Sequence, residues 1–439
     1  MARIAPFIGL RYADHYNQQM DRLVTPPYDI ISPEEQNRFY RVHKHNIIRL
    51  ELGKVSDADS AQDNRYTRAH ATLHAWRQEG VLKTEPKPAF YLVKTDYLDP
   101  QGESKHFTGF FARVQLEPLG EGKILPHEKT YEGPKTDRFN LLKETGVSFS
   151  PVLALYHDQN QTVGQMMRKI VGRKPAVDFK DWSGSRQRMW VVTNPAEQTA
   201  IAAAFRAKKL LIADGHHRYS TALRYQREFG RQAGPGADYV MMCLAETHDE
   251  GLCVLPVFRL IQGVPEKNWQ SFQKNVEKNF EVIPVGDSRR LCELQRQAAA
   301  EARQPVIAYL GGQGKTACLI KLRRDGAKAK AVFGQHSEIY ARLDVAILNQ
   351  LILNDLLGIR PGEEQGRVTY TKNFKDAFTA VRQNAIQAAF LPGLPDVDAI
   401  WDLAKQGETM PQKSTYFLPK IITGLVMNPV ALPAPVSAL

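Results

Sequence analysis

Leu210-Leu211-Ile212-Ala213-Asp214-Gly215-His216-His217-Arg218 carries the reading of the whole chain. The apolar run Leu210 to Ala213 fits a short buried strand, and Tyr219, Ala222, Leu223 and Phe229 recur afterwards at helical spacing. A strand therefore hands over to a helix at Asp214-Gly215. Gly215 lets the backbone turn sharply and approach a ligand. A helix starting there directs unpaired N–H groups and a partial positive charge outward, which suits a phosphate. His216, His217 and Arg218 add donors, and an arginine can grip two phosphate oxygens at once. Three roles stay open for Asp214: holding a metal-bound water, accepting a proton, or capping the helix. An Asp-Gly junction alone needs no ligand, but two histidines and an arginine crowded into one turn are harder to account for as packing.

Outward from this turn, strands and helices mix irregularly. Ser32-Pro33-Glu34-Glu35 reads as a helix start, with Ser32 as cap and Glu35 completing a capping box. Tyr66, Ala69, Leu73 and Trp76 share one helical face, ended by Gly80. Strands are expected over 89–94, 107–116, 152–156, 239–244 and 252–261, and Gly311-Gly312-Gln313-Gly314 separates two more as a hairpin. Helices are expected over 343–357 and 374–389, and 117–149 reads as a polar stretch. This irregular order favours an α+β fold with mixed sheets and flanking helices over a doubly wound sheet. The expected organisation is a phosphate-binding region over 1–235, an α+β region contributing to the site over 236–425, and a Pro- and Ala-rich surface tail over 426–439.

Composition narrows the function. A chain of 439 residues with 43% hydrophobic and 24% charged residues can bury a sizeable core. The net charge of +11 suits an anionic partner, either nucleic acid or a small phosphorylated ligand, but the basic residues are scattered. Cys243, Cys253, Cys292 and Cys318 form no C-x-x-C pair; Cys243 with His248 lacks the further local ligands of a zinc site, so no metal ligand is assigned. The cysteines read as reduced core residues. The first residues lack the apolar run of a signal peptide, and no stretch of 18 apolar residues occurs, so a cytoplasmic protein without a membrane partner is expected.

Two further stretches carry chemistry. In Pro126-His127-Glu128, with Asp137-Arg138 downstream, Glu128 is a candidate general base; H-E-x-x-H fails because residue 131 is Tyr. In Met410-Pro411-Gln412-Lys413-Ser414-Thr415-Tyr416-Phe417, Lys413 offers a point charge and Ser414 and Thr415 offer donors. Taken alone, the first stretch reads more readily as a solvated loop, and the second reads equally as an ordinary loop entering a strand. Gly311 to Thr316 ends like a phosphate-binding loop but has Tyr309 where a glycine is required. His70 and His74, spaced i, i+4, read as exposed surface.

Taken together, these motifs resemble the prokaryotic family catalogued as domain of unknown function 1015. The resemblance rests on Pro26-Pro27-Tyr28-Asp29, Pro126-His127-Glu128 with Thr130 and Asp137-Arg138, Ala213 to Tyr219, Leu343-Asp344-Val345, and Met410 to Phe417 with Pro419-Lys420. Its D-G-H-H-R turn is similar to one in the ParB and sulfiredoxin-like superfamily, which includes a free serine kinase that uses ADP. There the turn binds nucleotide phosphates. The resemblance thus implies a ParB/sulfiredoxin-like core and a nucleotide-dependent phosphotransferase acting on a small hydroxyl metabolite, with serine the natural guess. On this reading Glu128, Asp214 and Lys413 serve catalysis. Gly215, His216, His217, Arg218, Ser414 and Thr415 hold ATP or ADP, with Mg2+ expected, and His127, Asp137 and Arg138 meet the substrate. Two rivals are a nucleotide-gated nucleic-acid binder, less favoured because no helix-turn-helix or basic stripe is seen, and a non-catalytic regulatory protein. The chain departs from the family where Phe258 replaces a histidine, and where Ser148-Phe149 precede Ser150 without the usual asparagine.

Overall fold

A computed structural model describes residues 2–128, 133–302, 304–323 and 333–430. Lys129, Thr130 and the expected tail beyond 430 lie outside the described residues. The chain divides into two compact units: Met1–Pro126, Thr130–Cys253 and Phe417–Leu439 in the first, His127–Lys129 and Val254–Tyr416 in the second. This differs from the division expected at 235/236. Strand 239–246 lies inside the first unit's sheet, and the chain returns to that unit at Phe417.

The first unit is built on a nine-stranded mixed sheet. Its strands are β1 (Ile4–Ala5), β2 (Phe90–Leu98), β3 (Ser104–Gln115), β4 (Ile124–Pro126), β5 (Val152–Tyr156), β6 (Val177–Lys180), β7 (Arg186–Val192), β8 (Leu210–Asp214) and β9 (Tyr239–Glu246). They lie in the order β4-β8-β5-β9-β3-β2-β7-β6, with β1 paired to β3. β8 runs parallel to β4 and antiparallel to β5, while β9 runs parallel to β5. Alternate residues (Phe110, Ala112 and Val114; Val152, Ala154 and Tyr156; Leu210 and Ile212) bury one face together with Val163, Met167, Ile201 and Phe205. Those last four come from helices Thr162–Val171 and Pro195–Phe205.

Local signals around this sheet behave as their chemistry dictates. Ser32 and Glu35 form the expected capping box at the start of helix Pro33–Val42. Ala69, Leu73 and Trp76 are the buried face of helix Arg65–Gln78, and Gly80 follows at φ +71. The polar stretch 117–149 instead contains helix Gly133–Thr145, whose Phe139 and Leu142 pack with Tyr225 of helix His216–Ala233. Nor is 426–430 an exposed tail. Val426, Met427 and Asn428 are buried, Asn428–Pro429 pairs with Val147–Ser148, and the Arg113 Nε donates to Asn428 Oδ1 at 2.7 Å.

The second unit holds an antiparallel six-stranded sheet: β10 (Phe258–Ile261), β11 (Phe280–Pro284), β12 (Val306–Gly311), β13 (Thr316–Leu322), β14 (Val368–Thr371) and β15 (Ala388–Leu391), in the order β11-β13-β12-β15-β10-β14. β12 and β13 form the expected hairpin around Gly312. Period-2 alternation gives this sheet two cores. Ile307 and Tyr309 pack with Trp269, Phe272 and Leu351; Val306, Ala308 and Leu310 pack with Leu291, Ala377 and Val381. The helix expected over 374–389 ends at Arg382, Asn384 takes φ +57, and Ala388–Leu391 is a central strand. The fold is α+β.

Candidate functional site

β8 delivers Asp214 through a bulge. Ile212 pairs with Ala154, yet Asp214 pairs with Leu153, so an extra residue is inserted and the strand end is re-aimed. Gly215 then adopts φ +93, and a Cβ there would lie 2.9 Å from Arg218 Nε. The positive φ favours glycine, and a side chain there would also displace the folded-back Arg218 guanidinium. No side chain caps the helix that begins at His216, so Asp214 is not its cap.

Asp214 is instead the anion of a compact charge cluster. Lys420 Nζ donates to its Oδ2 at 3.0 Å, and Arg218 Nη2 lies 3.8 Å from the same oxygen. Burial alone would raise the Asp214 carboxyl; Lys420, Arg218 and His216 outweigh it and hold the group well below the usual carboxylate range. Asp214 is consequently a weak base. Burial opposes the Arg218 charge, but Asp214, Asp29, Tyr28 and Glu51 more than restore it, and its Nη1 donates to the Pro151 carbonyl. Lys420 belongs to the Pro419-Lys420 motif, but nothing local in the sequence signals its partner 206 positions away.

A second buried network adjoins Arg218. Arg138 Nη1 donates to the Glu51 carbonyl at 2.8 Å, Nε donates to Asp137 Oδ2 at 2.7 Å, and the guanidinium stacks 4.0 Å over Tyr28. Asp137 also accepts from Tyr66 Oη at 2.8 Å and from Arg65, and Glu51 accepts from Ser150 Oγ at 2.7 Å. Burial raises the Glu51 carboxyl despite Arg138 and that hydrogen bond, and burial pushes the Tyr28 hydroxyl up to about 12. A cavity of about 50 Å3 is lined by Glu51, Arg138, Ser150, Arg218 and Thr221. Tyr28 gives Pro26-Pro27-Tyr28-Asp29 a physical role, and Glu51 carried no sequence signal at all. The first unit thus brings together the Asp214 to Arg218 turn, Arg138 and Asp137.

The second unit gathers the remaining predicted residues. Glu128 Oε1 accepts from Ser414 N–H at 3.1 Å and from Thr415 Oγ1 at 3.4 Å, and lies 3.6 Å from His127 Nε2. His127 Nε2 lies 2.9 Å from Thr415 Oγ1, and its carbonyl accepts from Met410 N–H at 2.8 Å. Lys413 is exposed at φ +56, with its ammonium 5.8 Å from the centre of the Tyr370 ring. A non-glycine residue held in that left-handed conformation is costly and clusters at functional loops. Arg259 is fully buried; burial draws its guanidinium down to about 10, opposed by Tyr370 and Glu128.

Phe258, the departure from the family pattern, faces the opposite side of β10 from Arg259 and packs into the core with Leu260 and Ala389. Phe258→His should therefore lower stability by about 1–3 kcal/mol, because an imidazole there loses its hydration. A drop in the urea midpoint at unchanged slope is the expected reading; an unchanged midpoint would show that the ring finds a polar partner.

Also in the second unit, a cavity of about 730 Å3 is lined by Arg296, Arg342, Asp344, Gly393 and Ser414. Gly393 N–H donates to Asp344 Oδ2 at 2.5 Å, and burial lifts that carboxyl to about 6 despite the bond. A Cβ on residue 393 would lie 2.6 Å from the same oxygen, so a side chain there would push the Asp344 carboxylate aside.

The sequence profile of the family described as "Protein of unknown function (DUF1015)" matches residues 4–346. A search of curated proteins returns no match. Among solved structures, the chain is similar to a free serine kinase in complex with AMP, at 14% identity and TM-score 0.36, covering 71% of this chain and 88% of that one. It is also similar to a conserved hypothetical protein from Pyrococcus furiosus, at 17% identity and TM-score 0.34 over 71% and 90% of the two chains. A C-terminally truncated SbnI from Staphylococcus aureus matches at 12% identity and TM-score 0.34 over 70% and 82%. No helix among the described residues is long and apolar enough to cross a membrane.

Proposed function

The chain belongs to the DUF1015 family, and we propose that this member is a nucleotide-dependent phosphotransferase acting on a small hydroxyl metabolite, with serine the first to assay. The observation that carries this reading is the Gly215 turn: a helix start with no side-chain cap, beside two cations, Arg218 and Lys420, that share one carboxylate. An incoming phosphate offers those cations a stronger partner and receives the helix N–H groups. ATP or ADP is the donor class. Arg138 and Asp137 serve substrate binding.

In the transfer a base takes the proton of the substrate hydroxyl, the hydroxyl oxygen bonds to the terminal phosphorus, and the bond from that phosphorus to the nucleotide's bridging oxygen breaks. Glu128 is the base that the Pro126-His127-Glu128 motif offers for this reading, and Lys413 is the charge that the Met410 to Phe417 motif offers to steady the transferred group; both roles rest on the sequence motifs. Asp214 positions Lys420 and Arg218. Its carboxylate is already neutralised by them, so the turn does not fit a magnesium ion held by Asp214, and no step is assigned to such an ion.

Isothermal titration with ATP, ADP and CTP tests the reading. Arg218→Ala should weaken the binding of the preferred nucleotide about 10- to 100-fold, the worth of one or two charged hydrogen bonds. Arg218→Lys, which keeps the charge without the fork, should fall between. Absence of binding by the unmodified protein, or equal affinity in Arg218→Ala, removes the nucleotide from this turn.

A further inference from the structure

The geometry points to a transition-metal site, distinct from the phosphate turn, formed by His157, Glu246 and His248. One potential ligand atom from each of the three lies within 4.8 Å of the others. The sequence offered Cys243 with His248, and the i, i+4 pair His70 and His74, neither with further local ligands; the sheet supplies a different set. β5 and β9 are parallel neighbours with Tyr156 opposite Glu246, so His157 and Glu246 emerge side by side where both strands end. Carboxyl ends of adjacent parallel strands are where ligands recur in such sheets.

The local bonding fixes this placement. Thr247 N–H donates to the Tyr156 carbonyl at 2.9 Å, and Lys208 Nζ donates to the His157 carbonyl at 2.6 Å. Glu246 Oε2 accepts from His248 N–H at 2.6 Å, which folds the next turn back toward its own carboxylate. His248 Nδ1 lies 3.8 Å from Glu246 Oε1, and the two imidazole rings stand 5.6 Å apart at 32°. A tetrahedral ion with bonds of about 2.0–2.1 Å needs its ligand atoms about 3.3 Å apart. Closing by as much as about 1.5 Å calls for side-chain rotation, and the His248 side chain is 60% exposed and able to turn.

Two imidazoles and one carboxylate select a first-row divalent cation of the Zn2+, Co2+ or Ni2+ class, and leave a position for water or a further ligand. Calcium and magnesium prefer all-oxygen shells and do not fit. The site is separate from the Gly215 turn. β8 is antiparallel to β5, with Leu211 opposite Leu155 and Asp214 opposite Leu153, so Gly215 follows the other end of these strands.

The test uses the full chain, without a histidine tag and stripped with a chelator, titrated with Co2+. One equivalent should bind with a visible d–d absorption, and Zn2+ should displace it. His157→Ala and Glu246→Gln should each weaken Co2+ binding by about tenfold or more, a loss at least as large as that seen when partners of ligands are removed. His248→Ala, on an exposed turn, supplies the variant least exposed to folding defects, and circular dichroism checks its fold. His70→Ala/His74→Ala, which removes the other histidine pair, should change nothing. No saturable binding, binding retained in a folded His248→Ala protein, or binding lost only in the His70/His74 variant would overturn the proposal. Because nucleotide titration reads the other end of the sheet, failure here leaves the phosphotransferase reading standing.

Discussion

Turnover in Glu128→Gln is expected to fall by about 10²–10⁴-fold, the usual worth of a general base, with nucleotide affinity within about twofold of the unmodified protein. The substitution is chosen for what it preserves. Glu128 Oε1 receives Ser414 N–H and Thr415 Oγ1, and a glutamine carbonyl oxygen can accept both. The loop Met410 to Thr415 thus keeps its tether, and Lys413 keeps its φ of +56. Only the capacity to take a proton is lost. Nucleotide affinity is the discriminating control, because the cations assigned to it, Arg218 and Lys420, belong to the first unit. Measured kcat with serine and a nucleotide panel, beside calorimetric Kd, separates the two effects. Undiminished kcat removes Glu128 from the mechanism; equal losses in kcat and affinity would mean that Glu128 binds rather than catalyses.

How far sequence alone reached depends on whether the signal is local. The turn from Leu210 to Arg218 was legible because a buried strand, a glycine and a helical period follow one another within a few residues. The capping box at Ser32 was legible for the same reason. Lys420 was visible only as part of a motif, since its partner Asp214 is far away in the chain. Helix Gly133–Thr145 looked like a polar loop because Asp137 and Arg138 turn inward, to Tyr66, Glu51 and Tyr28, where a sequence reader expects solvent. The expected helix over 374–389 runs into the first two residues of strand Ala388–Leu391, because a short apolar run buried on both faces has no period to betray it. His157 and Glu246 carried no signal either. They meet only because β5 and β9 are neighbours, a fact of topology.

Removal of Arg138 should be the most damaging single change to the first unit. Arg138→Ala leaves Glu51 buried without its countercharge and strips Asp137 of two hydrogen bonds, while Tyr28 loses the cation over its ring. Breaking a buried ion network from one side costs about 3–5 kcal/mol. The loss should also depend on pH, with a definite sign. Burial already raises the folded-state Glu51 carboxyl, and loss of Arg138 raises it further. A raised carboxyl contributes stability that is present below the unfolded pKa, about 4.3, and is lost as pH climbs through the folded value. For Asp137 burial works upward, yet Arg138, Arg65 and Tyr66 hold the group low in the folded state. That contribution is present above the unfolded pKa of about 3.9 and shrinks when Arg138 is gone. Glu51 therefore makes the variant's deficit larger at neutral pH than near pH 4.5, whereas the Asp137 part is already present at pH 4.5 and fades only at lower pH. Urea denaturation of both proteins at the two pH values measures it. A deficit that is independent of pH would assign the damage to lost packing of the guanidinium over Tyr28 and not to the charges it holds.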